Sequence, residues 1–248
     1  MIKAILFDLG DTLINFGKVD KTAAIKRAAR SSYEYLNELN QPTGPFWAYF
    51  LRNMLEIRLR CLWSDITGKD FDSFDVMKEI GRKKGYRITD RQWLEINWLW
   101  YKPLAELAYI EPDIVQTMQT LKDMEFRLGI LSNTFVGKEA LDHHLKEIGI
   151  YDFFEMRLYS CYYPYRKPDK RIFFDAVNEM GLNKDQVLFV GDRVDTDAAG
   201  CIAADIKCAL KKSHANEDKE TPPQIMRIDK ISDLPQLLKS IETANLRA

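Results

Sequence analysis

Met1-Ile2-Lys3-Ala4-Ile5-Leu6-Phe7-Asp8-Leu9-Gly10-Asp11-Thr12-Leu13 opens the chain. Residues 2–7 are almost uninterruptedly apolar, and the run stops at an acid. It is too short for the apolar region of a signal peptide plus a cleavage site. A short apolar run bounded by a turn signal reads as a strand buried on both faces, as strands of parallel sheets are. Comparable runs recur at 127–131, 187–190, 206–210 and, more weakly, 224–228. Helical patterns separate them. The stretch 112–124 starts with Pro112 after Glu111 and sets Ile114, Met118 and Leu121 on one face. Similar patterns fill 138–148, 197–204 and 234–241, and 170–180 ends at Gly181, a natural C-cap. Strands alternating with helices predict an α/β fold with a doubly wound parallel sheet.

The segment 17–104 has a different texture. Ile25, Ala29, Ser32, Leu36 and Leu39 follow helical spacing behind Asp20, an expected N-cap, and Gln41-Pro42-Thr43-Gly44-Pro45 breaks the pattern. Further helices are expected over 46–63, 73–84 and 90–100, with no strand. The domain reading is therefore an α/β core formed by 1–16 and 105–248, interrupted by an all-helical insertion at 17–104. That insertion holds all five tryptophans, Trp47, Trp63, Trp93, Trp98 and Trp100. They are expected to pack it and its seam with the core, because large aromatics supply burial where a core is small. The polar stretch 213–223 reads as a surface loop.

Composition narrows the function classes. The 248 residues are 46% hydrophobic and 29% charged, with a formal net charge of −1. No basic stripe of the sort that neutralises a nucleic-acid backbone is visible, and no run is apolar and long enough to span a bilayer. Cys61, Cys161, Cys201 and Cys208 are scattered without a CxxC pair, so neither zinc nor a disulfide framework is indicated, and reduced thiols of a cytoplasmic protein are expected. Oligomeric state is open, with the tryptophan-rich insertion able to carry a homodimer interface.

The polar residues that matter follow the expected core strands, where open α/β sheets place their sites. Asp8 follows the first strand, and Ser132 and Asn133 follow Gly129-Ile130-Leu131. Lys167 lies in Tyr165-Arg166-Lys167-Pro168-Asp169, and Asp192 and Asp197 lie in Gly191-Asp192-Arg193-Val194-Asp195-Thr196-Asp197. Singly, each has a structural explanation, as a cap, a turn or a solvated loop residue. Together they match the needs of phosphate chemistry. A phosphate monoester is dianionic and repels an attacking carboxylate, so a site must bring cations and preset donors. Asp8 has the chemistry of a nucleophile that forms an acyl phosphate. Magnesium needs only a few carboxylates beside the substrate's own oxygens, and Asp8 and Asp192 supply them. Lys167 is a point cation, and Ser132 a donor to a phosphoryl oxygen. Asp197 can ligate the metal, act through water or hold Lys167.

Phe7-Asp8-Leu9-Gly10-Asp11-Thr12-Leu13, Leu131-Ser132-Asn133, Lys167-Pro168 and Val190-Gly191-Asp192 with Asp197 together resemble the haloacid dehalogenase-like hydrolases. The resemblance covers nearly the whole core. It implies a Rossmann-like core, a helical cap at 17–104 that closes over the site, a small phosphorylated substrate and a Mg2+ cofactor. It also implies that Gly10 gives its backbone carbonyl to the metal. Family phosphatases usually carry a second Asp at that position, which protonates the leaving alcohol and later activates water. Gly10 can do neither, and the adjacent Asp11 is not expected to compensate, since a one-residue shift re-aims the side chain. The expected enzyme is thus a phosphohydrolase with an impaired or rerouted acid/base step. The rival readings are a metal-independent 2-haloacid dehalogenase and a weakly catalytic binding or regulatory protein. His143 and His144 are expected at a surface or interface rather than on a metal. Asp195 is expected in a turn, and Lys102 and Arg58 on solvated helix faces.

Overall fold

The computed structural model describes residues 1–17 and 21–247. Its elements run β1 (Ala4–Phe7), α1 (Lys21–Glu38), α2 (Phe46–Thr67), α3 (Ser73–Lys84), α4 (Asp90–Ala105), α5 (Ile114–Asp123), β2 (Arg127–Ser132), α6 (Lys138–Glu147), β3 (Met156–Tyr159), α7 (Lys170–Glu179), β4 (Val187–Gly191), α8 (Ala199–Ala204), β5 (Lys207–Lys211), β6 (Met226–Ile228) and α9 (Leu234–Arg247). The sheet is parallel throughout and ordered β3-β2-β1-β4-β5-β6. The chain builds outward from β1 on one side, then returns to build outward on the other. The switch point therefore lies at β1, which is where such sheets open a crevice at their carboxyl ends.

Register sets the site. Phe7 lies level with Ile130 of β2 and with Val190 of β4. The residues that follow these three strands therefore emerge side by side. Within β1 the period of two is clean. Ile5 and Phe7 join the apolar layer with Met118, Leu121, Leu141 and Leu238, whereas Ala4 and Leu6 join the layer with Phe173, Ala176 and Cys201. Both faces are covered, which is why β1 reads as a continuous apolar run.

The expected fold is present with one strand more than the sequence suggested. Strand β3 was not anticipated. It is a four-residue edge strand, and Arg157 in its middle is tied to Asp142 at 3.2 Å, so no apolar run marks it. The predicted helix at 197–204 is a wide π turn, Val194–Ala198, followed by α8. The segment between β1 and β2 is helical as expected, and α1–α4 enclose a small core of their own built on Ala29, Leu36, Tyr49, Phe74, Met77, Trp93 and Ile96. The expected cap at Asp20 lies outside the described residues. Two of the tryptophans depart from expectation. Trp93 is buried and Trp98 packs on the seam, but Trp47 and Trp63 on α2 are 68% and 67% exposed. Among the described residues no helix is long and apolar enough to cross a membrane.

Candidate active site

Asp8 begins the loop that leaves β1, and its backbone N–H still donates to Val190 O of β4 at 2.8 Å. Its carboxylate is buried, and Lys167 Nζ donates to Asp8 Oδ1 at 2.8 Å. The same ammonium lies 2.7 Å from Asp197 Oδ1. The other oxygen of Asp197 accepts the backbone N–H groups of Asp192 and Arg193, each at 3.0 Å. Asp197 thus holds Lys167 with one oxygen and shapes the loop after β4 with the other. Gly191 makes this approach possible, because a Cβ there would collide with the Asp197 carboxylate.

Asp192 turns into the same space. Ser213 Oγ donates to its Oδ2 at 2.7 Å, while its Oδ1 is buried with no hydrogen-bond partner among the described residues. Carboxylate oxygens of Asp8, Asp192 and Asp197 all lie within 4.8 Å of one another. Three buried acids share one lysine, and the charges show the strain of that ratio. Burial, then the Asp8 charge, push Asp192 up to about 7. Burial also raises Asp8 above the ordinary carboxylate value, against the pull of Lys167 and the Ser132 hydroxyl. Burial works against the Lys167 charge as well, but Asp197 and Asp8 outweigh it and hold the ammonium above the ordinary lysine value. A cluster with surplus negative charge and an orphaned buried oxygen fits a divalent cation held by oxygens.

The other expected residues fall around this centre. Ser132 ends β2 and is buried beside Asp8. Asn133, expected to meet substrate, clasps the backbone of Lys167. Its Nδ2 donates to Lys167 O at 2.8 Å, and its Oδ1 accepts from Lys167 N at 2.9 Å. Both ends of the amide are therefore committed to the lysine loop. Gly10 sits in the loop after β1, where a Cβ would meet nothing within 4 Å. Asp11 has a left-handed φ of 55°, and its carboxylate accepts from Phe16 N at 2.9 Å, closing its own turn. Asp195 is half-exposed and paired with Arg193. His143 packs at a tilt on Trp98 and His144 is buried against Tyr101, so both lie on the seam between α6 and α4.

A match to the haloacid dehalogenase-like hydrolase profile extends over residues 2–205. The chain belongs to that family. It is a hydrolase of the phosphatase kind. Among curated relatives of this hydrolase, the glyceraldehyde 3-phosphate phosphatase of Methanothermobacter thermautotrophicus is 26% identical over 96% of this chain and 100% of its own. The enzyme of the same name from Methanopyrus kandleri is 25% identical over 81% of this chain and 79% of its own. In fold, the hydrolase is similar to a 2-haloacid dehalogenase from Pseudomonas syringae, with a TM-score of 0.65 and 24% identity over 97% of this chain and 99% of that one.

Several residues that shape the hydrolase's site gave no sequence signal. Asn216 Nδ2 donates to Asp192 O at 2.6 Å and to Lys211 O at 2.7 Å, so the expected surface loop at 213–223 in fact supports the centre through Ser213 and Asn216. Lys211 is buried and donates to Thr12 O at 2.8 Å and Asn15 Oδ1 at 2.6 Å, which ties the end of β5 to the loop after β1. The helical segment reaches the same loops through Asp70, between α2 and α3. Asp70 Oδ1 accepts from Ser64 Oγ at 2.7 Å and from Arg166 Nη1 at 2.9 Å, and Asp70 Oδ2 accepts from Ser160 Oγ. Arg166 is the neighbour of Lys167, and Ser160 Oγ accepts from Thr134 N at 2.9 Å, two residues beyond Ser132. One buried carboxylate of the insertion therefore grips the loops that carry Lys167 and Ser132. Phe71 stacks on Phe135 beside it, with ring centroids 5.5 Å apart.

Proposed function

We propose that this hydrolase is a magnesium-dependent phosphohydrolase that removes phosphate from a small metabolite through an aspartyl-phosphate on Asp8. The observation that carries the reading is the buried Asp8–Lys167–Asp197 chain of charges with the free oxygen of Asp192 beside it. In the first half-reaction an Asp8 carboxylate oxygen attacks phosphorus, the ester oxygen leaves as the alcohol or alkoxide, and a mixed anhydride forms on Asp8. In the second, water attacks that phosphorus, inorganic phosphate departs and the carboxylate returns. Lys167, kept charged and immobile by Asp197 and by Asn133, offsets negative charge on the phosphoryl oxygens. The Ser132 hydroxyl supplies a neutral donor to the same group. Asp8, Asp192, the Gly10 carbonyl and the nearby Asp197 are the groups that would hold the metal, which when bound neutralises phosphoryl charge. The segment 17–104 acts as the cap, gripping the site through Asp70.

The names of the relatives make triose phosphates the first substrates to try. Gly10 sets the limit on rate: no side chain stands there to protonate the leaving oxygen, so esters with good leaving groups turn over best. The full acidic set after β4, with the free oxygen of Asp192 suited to a metal, favours phosphate chemistry over metal-free dehalogenation. The test is a magnesium-dependent screen over glyceraldehyde 3-phosphate, other sugar phosphates, nucleotides and acyl phosphates, with Asp8→Asn as the blank. Phosphate release that needs both magnesium and Asp8 is expected. Release that persists in Asp8→Asn, or no release from any ester by protein that binds magnesium, overturns the reading.

A further inference from the structure

Helix α2 has two unlike faces. Tyr49, Asn53 and Ser64 turn inward, toward the insertion's core and Asp70. Outward lie Trp47, Leu51, Leu55, Leu59, Leu62, Trp63 and Ile66, each at least half exposed and Ile66 78% exposed. Their spacing follows the helical repeat, so they form one continuous stripe over about five turns. Lone exposed apolar residues need no explanation, but a contiguous stripe does. Seven side chains of this size, exposed to this extent, offer roughly 900 Å² on one face, where a monomer's largest apolar patch is typically about 300–600 Å².

We infer that this stripe is the interface of a homodimer in which α2 packs against α2 of a second copy. Three observations select that occupant. The first is area: a standard stable interface buries roughly 800 Å² per partner, and the stripe provides most of what its centre needs. The second is symmetry. The stripe nearly mirrors itself about the middle of the helix, with Trp47 opposite Ile66, Leu51 opposite Leu62 and Leu55 opposite Leu59. A two-fold axis across the helix runs the second α2 antiparallel and sets large apolar groups against one another along its length, which is the self-complementarity a two-fold interface demands. The third is charge. The flanks of the stripe carry Glu56, Arg58, Arg60 and Asp65, both signs interleaved, with Arg60 bound to Glu56 and Asp65 to Arg166. An interfacial helix held to an anionic membrane instead shows a uniformly basic polar face. The inference is independent of the proposed reaction, since none of the stripe residues belongs to the site.

The test is sedimentation equilibrium of the full chain from about 1 to 100 μM, together with the double variant Leu55→Glu/Leu59→Glu. Both positions face water in the monomer, so the variant should keep the wild-type circular dichroism spectrum and magnesium-binding isotherm. The wild type is expected at twice the 28.9 kDa chain mass, and the variant at one chain mass, its dissociation constant raised at least 100-fold. A wild type that stays monomeric at 100 μM overturns the inference, as does a double variant that dimerises as tightly as the wild type. Flotation with phosphatidylserine–phosphatidylcholine vesicles covers the remaining occupant: a monomeric wild type that floats through this stripe, and a double variant that does not, assigns the face to lipid and overturns the dimer.

Discussion

Placing a carboxylate at position 10 should restore the missing acid. Gly10→Asp is well tolerated by the fold: the added Cβ meets nothing within 4 Å, and among the left-handed glycines Gly10 is absent, so the residue keeps ordinary backbone geometry. A carboxyl on the residue two places after Asp8 is the group that would protonate a leaving oxygen. General acid catalysis is worth a factor of about 10²–10⁴, or about 3–5 kcal/mol of barrier. The whole of that gain belongs to substrates whose leaving group needs the proton. The assay is kcat/KM at saturating magnesium for a series from nitrophenyl phosphate to alkyl phosphates, plotted against leaving-group pKa. Wild type should fall steeply along the series. Gly10→Asp should raise alkyl esters by about 10²–10⁴ while nitrophenyl phosphate moves less than about tenfold, so the line flattens. A gain spread evenly over the series, or none at all in a variant that is folded and binds magnesium normally, refutes the assignment of Gly10 as the absent acid.

Asp70→Ala removes the acceptor of Arg166, Ser64 and Ser160 at once. It should cost on the order of 3 kcal/mol in urea-induced unfolding, and lower kcat with it, because both gripped loops carry site residues. Gly191→Ala must displace the Asp197 carboxylate. A loss of about 1–3 kcal/mol is expected in thermal melts, with phosphatase activity falling more than the stability change alone explains. Burial lowers the His144 pKa below the ordinary histidine value of 6.5. An unfolded chain therefore takes up a proton that the folded one resists, so stability is complete above 6.5 and declines as pH falls through the lowered folded value. Denaturation midpoints between pH 7.5 and 5 should show this acid limb, and His144→Phe should shrink it.

The strands with continuous apolar runs were readable because they are buried on both faces, and their parallel pairing followed from helices falling between them. Strand β3 escaped because an edge strand with Arg157 in it has no such run. The grouping was legible where motifs mark it: Asp8, Ser132, Lys167, Asp192 and Asp197 all gather in one place. What stayed hidden is the support. Asn216, Lys211 and Asp70 act through contacts with residues far along the chain, and an isolated Asn, Lys or Asp carries no mark of its distant partner. Asn133 shows the same limit within a motif, for its position was legible but not which group its amide would hold. The exposed Trp47 and Trp63 were misplaced for a related reason: helical periodicity tells which residues share a face, not whether another chain or the protein's own core covers it.

Strand β1 is central in the sheet, and that has a consequence for the chain as it is made. Ala4–Phe7 leaves the ribosome well before its neighbours, which begin at Arg127 and Val187. At about 5–20 residues per second, the wait for β4 lasts roughly 10–40 s. Through that interval the strand is an apolar segment with unpaired edges, the kind that recruits wrong partners. It is only four residues long, and a charge stands at each end, Lys3 before it and Asp8 after it. Charges so placed discourage intermolecular pairing of an apolar segment. The carboxylate that later sits buried in the finished enzyme thus first serves, in water, as a guard on the strand that carries it.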